Sequence, residues 1–421
     1  CRPDPYPLKG IRTLDLTRVW SGPLAGRILA DLGAEVIHIL GRSTVPGAKM
    51  PPEEAAVLGI FPDDDPGQRP WDRMSQNNDF SRNKLGMTLE LDRPEGIALF
   101  RQLVSVSDVV LENFSPRVMP NFGLDYAALK EINPAVVMCS MPGFGLTGPL
   151  RNDVSYGVNL DFFTGLASLM GYPDGEGQMS GNAYPDAAAA MHAVCAVLTA
   201  LFHRQKTGVG QHIDLSQAES AVSLIGESVL GFALNGETPK RTGNRHPVFA
   251  PYGCYRCRGE DRWVTIAVST EDEWNALISV PGMPDRLRRE EFADPSVRRQ
   301  CHDELDNLIE AWTKRHTRRE AMRILQKAGV PAGAVLNAAD LLTDEHLQER
   351  GFFVEIDHPE TGLRKYCGLP MKFSDAGTLP GRPPPTLGQH NAHILGAVLG
   401  LSSDEIARLK DSGVIGTEPI D

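Results

Sequence analysis

The first 140 residues alternate strand-like and helix-like segments, and that rhythm limits the fold more than any other feature of the chain. IRTLDL (11–16) has the pattern of a strand, and GPLAGRILADLGA (22–34) that of a helix ending near Gly33. EVIHIL (35–40) and MTLEL (87–91) are the next strands. PEGIALFRQLVSVS then carries Pro94 in a first turn and apolar residues at helical spacing. DVVLEN predicts a strand, DYAALKEIN a helix and AVVMCS a strand. Such a βαβα order is the signature of a parallel, doubly wound sheet.

One interruption is long. Residues 43–80 are rich in Pro, Gly and acidic side chains without periodicity, as in lids and binding loops. Further on, AAAAMHAVCAVLTALFHRQ (187–205) is apolar on every side, which predicts a buried helix. His203, Arg204 and Lys206 before Gly208 suit its C-terminus. The stretch 236–260 is turn-rich, and RWVTIAV opens a second α/β unit reaching about residue 335. FFVEI, a Pro-rich crossing LPGRPPPTLG and a final helix complete the chain.

Composition narrows the partners. A balance of 41% hydrophobic and 23% charged residues in 421 is ordinary for a soluble protein. A formal net charge of −12 argues against a general nucleic-acid or anionic-membrane binder, but leaves room for an anionic small ligand held by local Lys and Arg. No run of about 18 apolar residues is present, so no membrane-spanning helix is expected. The segment CRPDPYPLKGIRTLDLTRVW has neither an apolar core nor a small-residue cleavage site, so no secretory signal is expected. Seven scattered cysteines, Cys1, Cys139, Cys195, Cys254, Cys257, Cys301 and Cys367, do not form a disulfide framework and suggest a reducing compartment.

Several local motifs have a plainer reading beside the functional one. GFGLTG (143–148) matches a dinucleotide fingerprint, but Pro149 and polar residues follow where a helix must open. A Gly-rich loop at a strand end is the better reading. Cys254-Tyr-Arg-Cys257 lacks a second pair for zinc and fits alternation in a hairpin. His192 lies in the apolar helix and reads as a core histidine. Asp186, in Ser180-Gly-Asn-Ala-Tyr-Pro-Asp186 before that helix, has two readings. Asp is a leading N-cap type. The same helix end also favours an ionised, reactive carboxylate. Spacing alone does not separate them.

Several longer segments resemble one family. LKGIRTLDLTRVWSGPLAGRILADLGAEVIHI, NKLGMTLELDRPEG, DVVLENFSP, FGLDYAALKEINPAVVMCSMPGFG, SGNAYPDAAAAMHAVCAVLTALFHRQKTGVGQHIDLSQAES and AGVPAGAVLNAADLLTDEHLQERGFF together resemble the class III CoA-transferases, of the CaiB/BaiF or formyl-CoA transferase type. The resemblance implies a large Rossmann-like, doubly wound α/β domain formed by 1–235 and 336–421. A smaller α/β domain would lie at 236–335, in an interlocked homodimer. It implies that Asp186 is the nucleophile, attacking an acyl-CoA to give an anhydride and then an aspartyl-CoA thioester from which a carboxylic acid takes the CoA. Coenzyme A enters as substrate; no permanent cofactor and no metal is implied, and a cytoplasmic location is expected. Carried-over CoA contacts are Trp20, Ser21, Arg42, Leu91, Arg93, Asn113, Phe114, Ser115, Asn121, Val154, Ser155 and Tyr156. Arg42 and Arg93 suit the CoA phosphates.

The chain also departs from the family pattern. Strand two ends Leu40-Gly41-Arg42 without the usual acidic residue, and Asn121 stands at an often basic position. HPVFAPYGCYRC replaces the glycine run of the formyl transferases, which argues against formyl or oxalyl specificity. Arg151-Asn152-Asp153 lacks the histidine of the related α-methylacyl-CoA racemases, which disfavours proton shuttling at an α-carbon. The alternatives to a transferase are such a racemase and a non-catalytic CoA-binding relative in which Asp186 is only a cap.

Overall fold

The computed structural model describes residues 6–375 and 381–420, apart from 49, 52, 53, 55, 56 and 58. Cys1, parts of the 43–80 stretch and residues 379–380 of the Pro-rich crossing lie outside them. Two compact units form: Cys1–Leu166 with Met179–Val229 and His346–Asp421, and Ala167–Gln178 with Leu230–Glu345.

The larger unit is built on a six-stranded sheet of β1 (Arg12–Asp15), β2 (Glu35–Leu40), β3 (Leu85–Thr88), β4 (Val109–Glu112), β5 (Val137–Ser140) and β6 (His212–Asp214). Their spatial order is β3-β2-β1-β4-β5-β6, and each neighbouring pair is parallel. The order reverses beside β1, where α/β folds of this kind bind ligands beyond the strand C-termini. Alternate side chains serve opposite cores. Val36, Val109, Leu111 and Val137 face helices α1 (Ser21–Asp31) and, further along the chain, the 24-residue helix Tyr184–Thr207. Leu14, Ile37, Ile39 and Val110 face α2 (Pro94–Ser105) and α3 (Tyr126–Ile132) with C-terminal Ile394, Leu395, Val414 and Ile415. Both sheet faces are therefore covered, which is why these strands read as nearly continuous apolar runs.

Strand β3 ends earlier than the expected 87–91. Leu89 N–H still reaches Leu40 O at 2.9 Å, but Glu90 N–H turns to Val414 O at 3.0 Å. As an edge strand, β3 would leave donors open to solvent. Here Gly86 N–H donates to His390 Nδ1 (3.0 Å) and Thr88 N–H to Asn391 Oδ1 (2.9 Å). The C-terminal segment thus completes the sheet's edge.

Among the helices that follow β5 are α4 (Gly157–Phe163), α5 (Tyr184–Thr207) and α6 (Gln217–Val222). Helix α5 is not buried all round, as its composition suggests, but only along one side. Ala189, Ala193, Val197 and Ala200 are buried, whereas Met191 and Phe202 are exposed. His192 is exposed too, its Nδ1 2.8 Å from Ala188 O, so it is not a core residue. By length and composition α5 resembles a membrane span, and half of that stretch is buried in the protein. GFGLTG is a loop with no helix opening inside it, held by Leu146 N–H donating to Asp214 Oδ1 at 2.9 Å.

The smaller unit has an antiparallel sheet of β7 (Tyr252–Arg256), β8 (Trp263–Ala267) and β9 (Ala332–Ala334). Helices α7 (Glu271–Ser279), α8 (His302–Thr313) and α9 (Arg318–Lys327) pack against it around Trp274, Phe292 and Trp312. The CxxC motif lies along β7 and its exit, where Cys257 N–H bonds Arg262 O at 2.7 Å and closes the hairpin.

Lys84 and Asp15 form a fully buried ion pair, Nζ to Oδ2 2.8 Å, with Nζ also donating to Pro23 O at 2.8 Å. Burial alone would push the Asp15 carboxyl up, but Lys84 and His38 outweigh it and hold it below its usual range. Removing one member strands the other charge. Lys84→Met should lower stability by about 3–5 kcal/mol in urea unfolding, and adding Asp15→Leu should restore most of the loss.

Candidate active site

Asp186 is not the cap of α5. The helix starts at Tyr184, with Pro185 in its first turn and no side-chain cap at Ala183. Asp186 stands inside the first turn, its N–H on Ala183 O at 3.0 Å. The side chain is only 6% exposed. Its surroundings come from two other helix starts. Gly157 opens α4, and a Cβ there would lie 1.7 Å from Asp186 Oδ2, so only glycine lets that backbone approach. Ser21 opens α1 and its amide acts on the same carboxylate.

Burial pushes the Asp186 carboxyl up to about 6, and the Ser21 amide opposes this while the nearby Asp161 carboxylate adds to it. Ser21 Oγ has no hydrogen-bond partner among the described residues, yet its dipole also favours the anion. Helix N-termini favour anions, so the site tolerates a buried carboxylate and keeps it ionised near neutral pH. Two backbone outliers flank it: Ala183 at φ +24° and Val19 at φ +69°, a conformation unfavourable for a β-branched residue.

A cavity of about 560 Å³ opens beyond β1 and β2. Leu91 and Phe114, both expected CoA contacts, line it with Arg18, Val19, Gly41 and Glu90. Arg18 was not singled out from the sequence. Its backbone is clamped from both sides by the Asn113 amide, each bond 2.8 Å. Its guanidinium donates to Leu16 O and Thr17 O and lies 5.7 Å from the centre of the Phe114 ring. Burial lowers its proton affinity, to about 10, with Asp15 opposing. No carboxylate bonds Arg18 among the described residues, which leaves a cation on the cavity wall.

The other expected contacts fall into groups. Trp20 and Ser21 lead into α1, Trp20 packing edge-on against Phe80 at 5.4 Å. Ser155 and Tyr156 lead into α4, with Ser155 close against Gly143, and Val154 before them is exposed. Arg42 and Arg93 flank the cavity, next to lining residues Gly41 and Asp92. Arg42 donates to Glu418 O at 2.8 Å and Arg93 to Ser412 O, and neither pairs with a carboxylate among the described residues. Ser115 closes a turn through Val118 N–H. Asn121 is exposed and does not line the cavity, although Val118 and Phe122 do. Asn113 serves the loop carrying Arg18 instead. Among the described residues no cluster of His, Cys, Asp and Glu is arranged to hold a metal.

The family model described as "CoA-transferase family III" matches residues 8–391. The chain belongs to that family. As a family III protein it is a CoA-transferase, an enzyme whose substrates include CoA thioesters. It is 32% identical to the succinyl-CoA–D-citramalate CoA-transferase of Chloroflexus aurantiacus over 98% of each chain. It is 30% identical to the succinate–glutarate CoA-transferase of Agrobacterium fabrum, covering 92% of this chain and 95% of that one. A solved CaiB/BaiF family protein from Brucella suis superposes with a TM-score of 0.83 at 32% identity, over 94% of this chain and all of that one.

For this family III enzyme the site's electrostatics have a measurable consequence. A folded value of about 6 against an ordinary 3.8 penalises the ionised folded state by roughly 3 kcal/mol, at about 1.4 kcal/mol per unit. The folded carboxyl holds its proton more tightly than the unfolded one. Its contribution is thus fully present below the ordinary value and is lost as pH rises through about 6. Asp186→Asn should therefore be more stable than the parent at pH 7–8 in chemical denaturation, by up to the figure above. The advantage should vanish near pH 4. Equal stabilities across this range would contradict the buried, raised carboxylate.

Proposed function

We propose that this CoA-transferase moves coenzyme A from an acyl-CoA donor to a carboxylic acid acceptor through covalent intermediates on Asp186. The observation carrying the reading is a buried carboxylate that does not cap its helix, bonds no cation among the described residues, and is met by the Gly157 backbone. A structural Asp would be expected to do one of those jobs.

The steps balance as follows. The Asp186 carboxylate attacks the thioester carbonyl and expels CoA thiolate, leaving a mixed anhydride. The thiolate attacks the aspartyl carbonyl of that anhydride, releasing the donor acid and forming an aspartyl-CoA thioester. The acceptor carboxylate attacks this thioester, again freeing CoA thiolate and giving a new anhydride. The thiolate then takes the acceptor acyl group, and Asp186 regains its charge. Each addition builds an oxyanion, and a preorganised donor to such an oxyanion typically contributes about 2.7–4 kcal/mol. Backbone N–H groups near Gly157 and Ser21 are the candidates. Arg42 and Arg93 are assigned to the CoA phosphates, with Leu91 and Phe114 against its apolar parts.

The named relatives act with succinyl-CoA or succinate on citramalate and glutarate. Dicarboxylic acids are accordingly the first class to test, with succinyl-CoA as donor, and Arg18, to which no carboxylate among the described residues is bonded, offers positive charge to an anionic ligand. The six free cysteines among the described residues suit a reducing, cytoplasmic setting. A second copy of the chain is the proposed cover for the apolar side chains that α4 and α5 leave exposed, Phe162, Phe163, Met191 and Phe202.

Two measurements test the reading. Incubated with succinyl-CoA, the enzyme should form an adduct that hydroxylamine cleaves, mapping by mass spectrometry to the Asp186 peptide. Asp186→Asn should still bind CoA yet lose transfer by orders of magnitude. Near-normal turnover of that variant, with deamidation excluded by mass, would move the nucleophile elsewhere. Light scattering should give about twice the 45.9 kDa chain mass, and a monomer at all concentrations would leave the apolar face without its proposed cover.

A further inference from the structure

We propose that Asp161 is a positioning residue for the nucleophile: a second buried carboxylate that anchors the turn leading into α5 and places negative charge beside Asp186. The inference rests on the covalent role of Asp186.

The geometry links three pieces. Asp161 lies on α4, one helical turn after Gly157, whose backbone meets Asp186 Oδ2. It is 1% exposed. Its Oδ2 accepts two hydrogen bonds from Ser180, from N–H at 3.1 Å and from Oγ at 2.7 Å. Ser180 begins the turn Ser180–Ala183, which ends at the left-handed Ala183 where α5 starts and delivers Asp186 in the first helical turn. One short helix thus touches the nucleophile at its first residue and anchors the nucleophile's turn at its fifth.

The anchor alone does not explain the charge. An asparagine in its place would accept from Ser180 with one oxygen and bury no anion. Instead Asp161 Oδ1 has no hydrogen-bond partner among the described residues, an arrangement that costs folding free energy. The chemistry gives the charge a use. Asp186 is anionic when free and neutral when acylated or thioesterified. Repulsion from Asp161 acts on the free enzyme and is relieved once Asp186 is covalently bound, which favours formation of the intermediate. It also makes Asp186 more basic, and so a better nucleophile.

Few other charges face Asp186. Helix α1 presents uncharged Ser21; its Arg27 and Asp31 are paired with Asp79 and Arg82. Helix α6 carries Glu219, which is exposed, and β5 offers no charged residue. The first turns of α5 carry, before the exposed His192, only one other titratable side chain, the exposed phenol of Tyr184.

The test uses the full chain labelled with ¹³C at aspartate carboxyls, the Asp186 signal being the one lost in Asp186→Asn. In Asp161→Asn the Asp186 titration should move to lower pH by up to about one unit, as removal of a neighbouring like charge requires. The acid limb of kcat/KM should move with it, and kcat at pH 8 should fall about ten- to a hundredfold with little change in KM for succinyl-CoA. Ser180→Ala keeps the charge, so it should slow turnover while leaving the titration in place. Asp161→Glu serves as a charge-retaining control should Asp161→Asn compromise folding: its titration should stay raised while turnover drops. An unmoved Asp186 titration in Asp161→Asn overturns the proposal even if Asp186 proves to be the nucleophile. Conversely, an active Asp186→Asn enzyme removes the covalent reading, and the titration still reports whether the two carboxylates interact.

Discussion

The buried pair between Lys84 and Asp15 ties together the parts of the larger unit that build the site. Asp15 ends the central strand β1, and Lys84 precedes the edge strand β3. The ammonium also takes the carbonyl of Pro23 in the first turn of α1. Helix α1 lies so close above that a Cβ at Gly26 would be 2.3 Å from Asp15 Oδ2. Thr17 donates to Asp15 Oδ1 through its amide and hydroxyl, which turns the chain out of β1 toward Arg18 and Ser21. One ion pair therefore fixes where β3 enters the sheet, how α1 lies on it and where the Ser21 amide points. Removed from water, each charge depends on the other, so the arrangement has little freedom to relax.

Much of this architecture was legible because it depends on periodicity. Residues such as Val36 and Ile37, or Val109 and Val110, go to opposite cores, and both cores are apolar, so short apolar runs broken by helical spacing identify the strands. What was not legible depends on tertiary partners. Strand β3 ends early because a segment more than 300 residues away takes its donors, and MTLEL contains no sign of that. Helix α5 and His192 were expected to be buried since composition cannot separate apolar surface packed within a chain from apolar surface left open.

The site divides in the same way. Asp186, Leu91 and Phe114 were proposed through resemblance, and the residues alone left the cap and nucleophile readings of Asp186 open. The cap reading fails on register: Pro185 takes an early first-turn place and Asp186 comes after it. Gly157, Arg18 and Asp161 were missed. Gly157 matters only because Asp186 occupies the space of its absent side chain, a fact with no local signature. Arg18 lies within the quoted DLTRVW segment, yet only the structure shows a guanidinium bonded to carbonyls alone. Asp161 is unusual as a buried charge among apolar neighbours in NLDFF, and that pattern was the one available signal.

The proposed covalent role places opposing demands on Asp186, and the features gathered there suit both. A carboxylate surrounded by water is a poor nucleophile, because its hydration must be shed before it can reach a carbonyl. Burial removes that hydration in advance and raises the proton affinity of the anion. Carried too far, the same burial would leave the group protonated and inert at neutral pH. The Ser21 amide pulls in the other direction, and α1 and α5 both begin at the carboxylate. The balance near 6 keeps the group mostly charged at neutral pH while holding it well above an ordinary aspartate. A balance of this kind needs backbone within contact distance of the carboxylate, which glycine at 157 permits and a side chain there would prevent. The folding free energy given up by burying the charge is supplied elsewhere, by the two packed faces of the sheet.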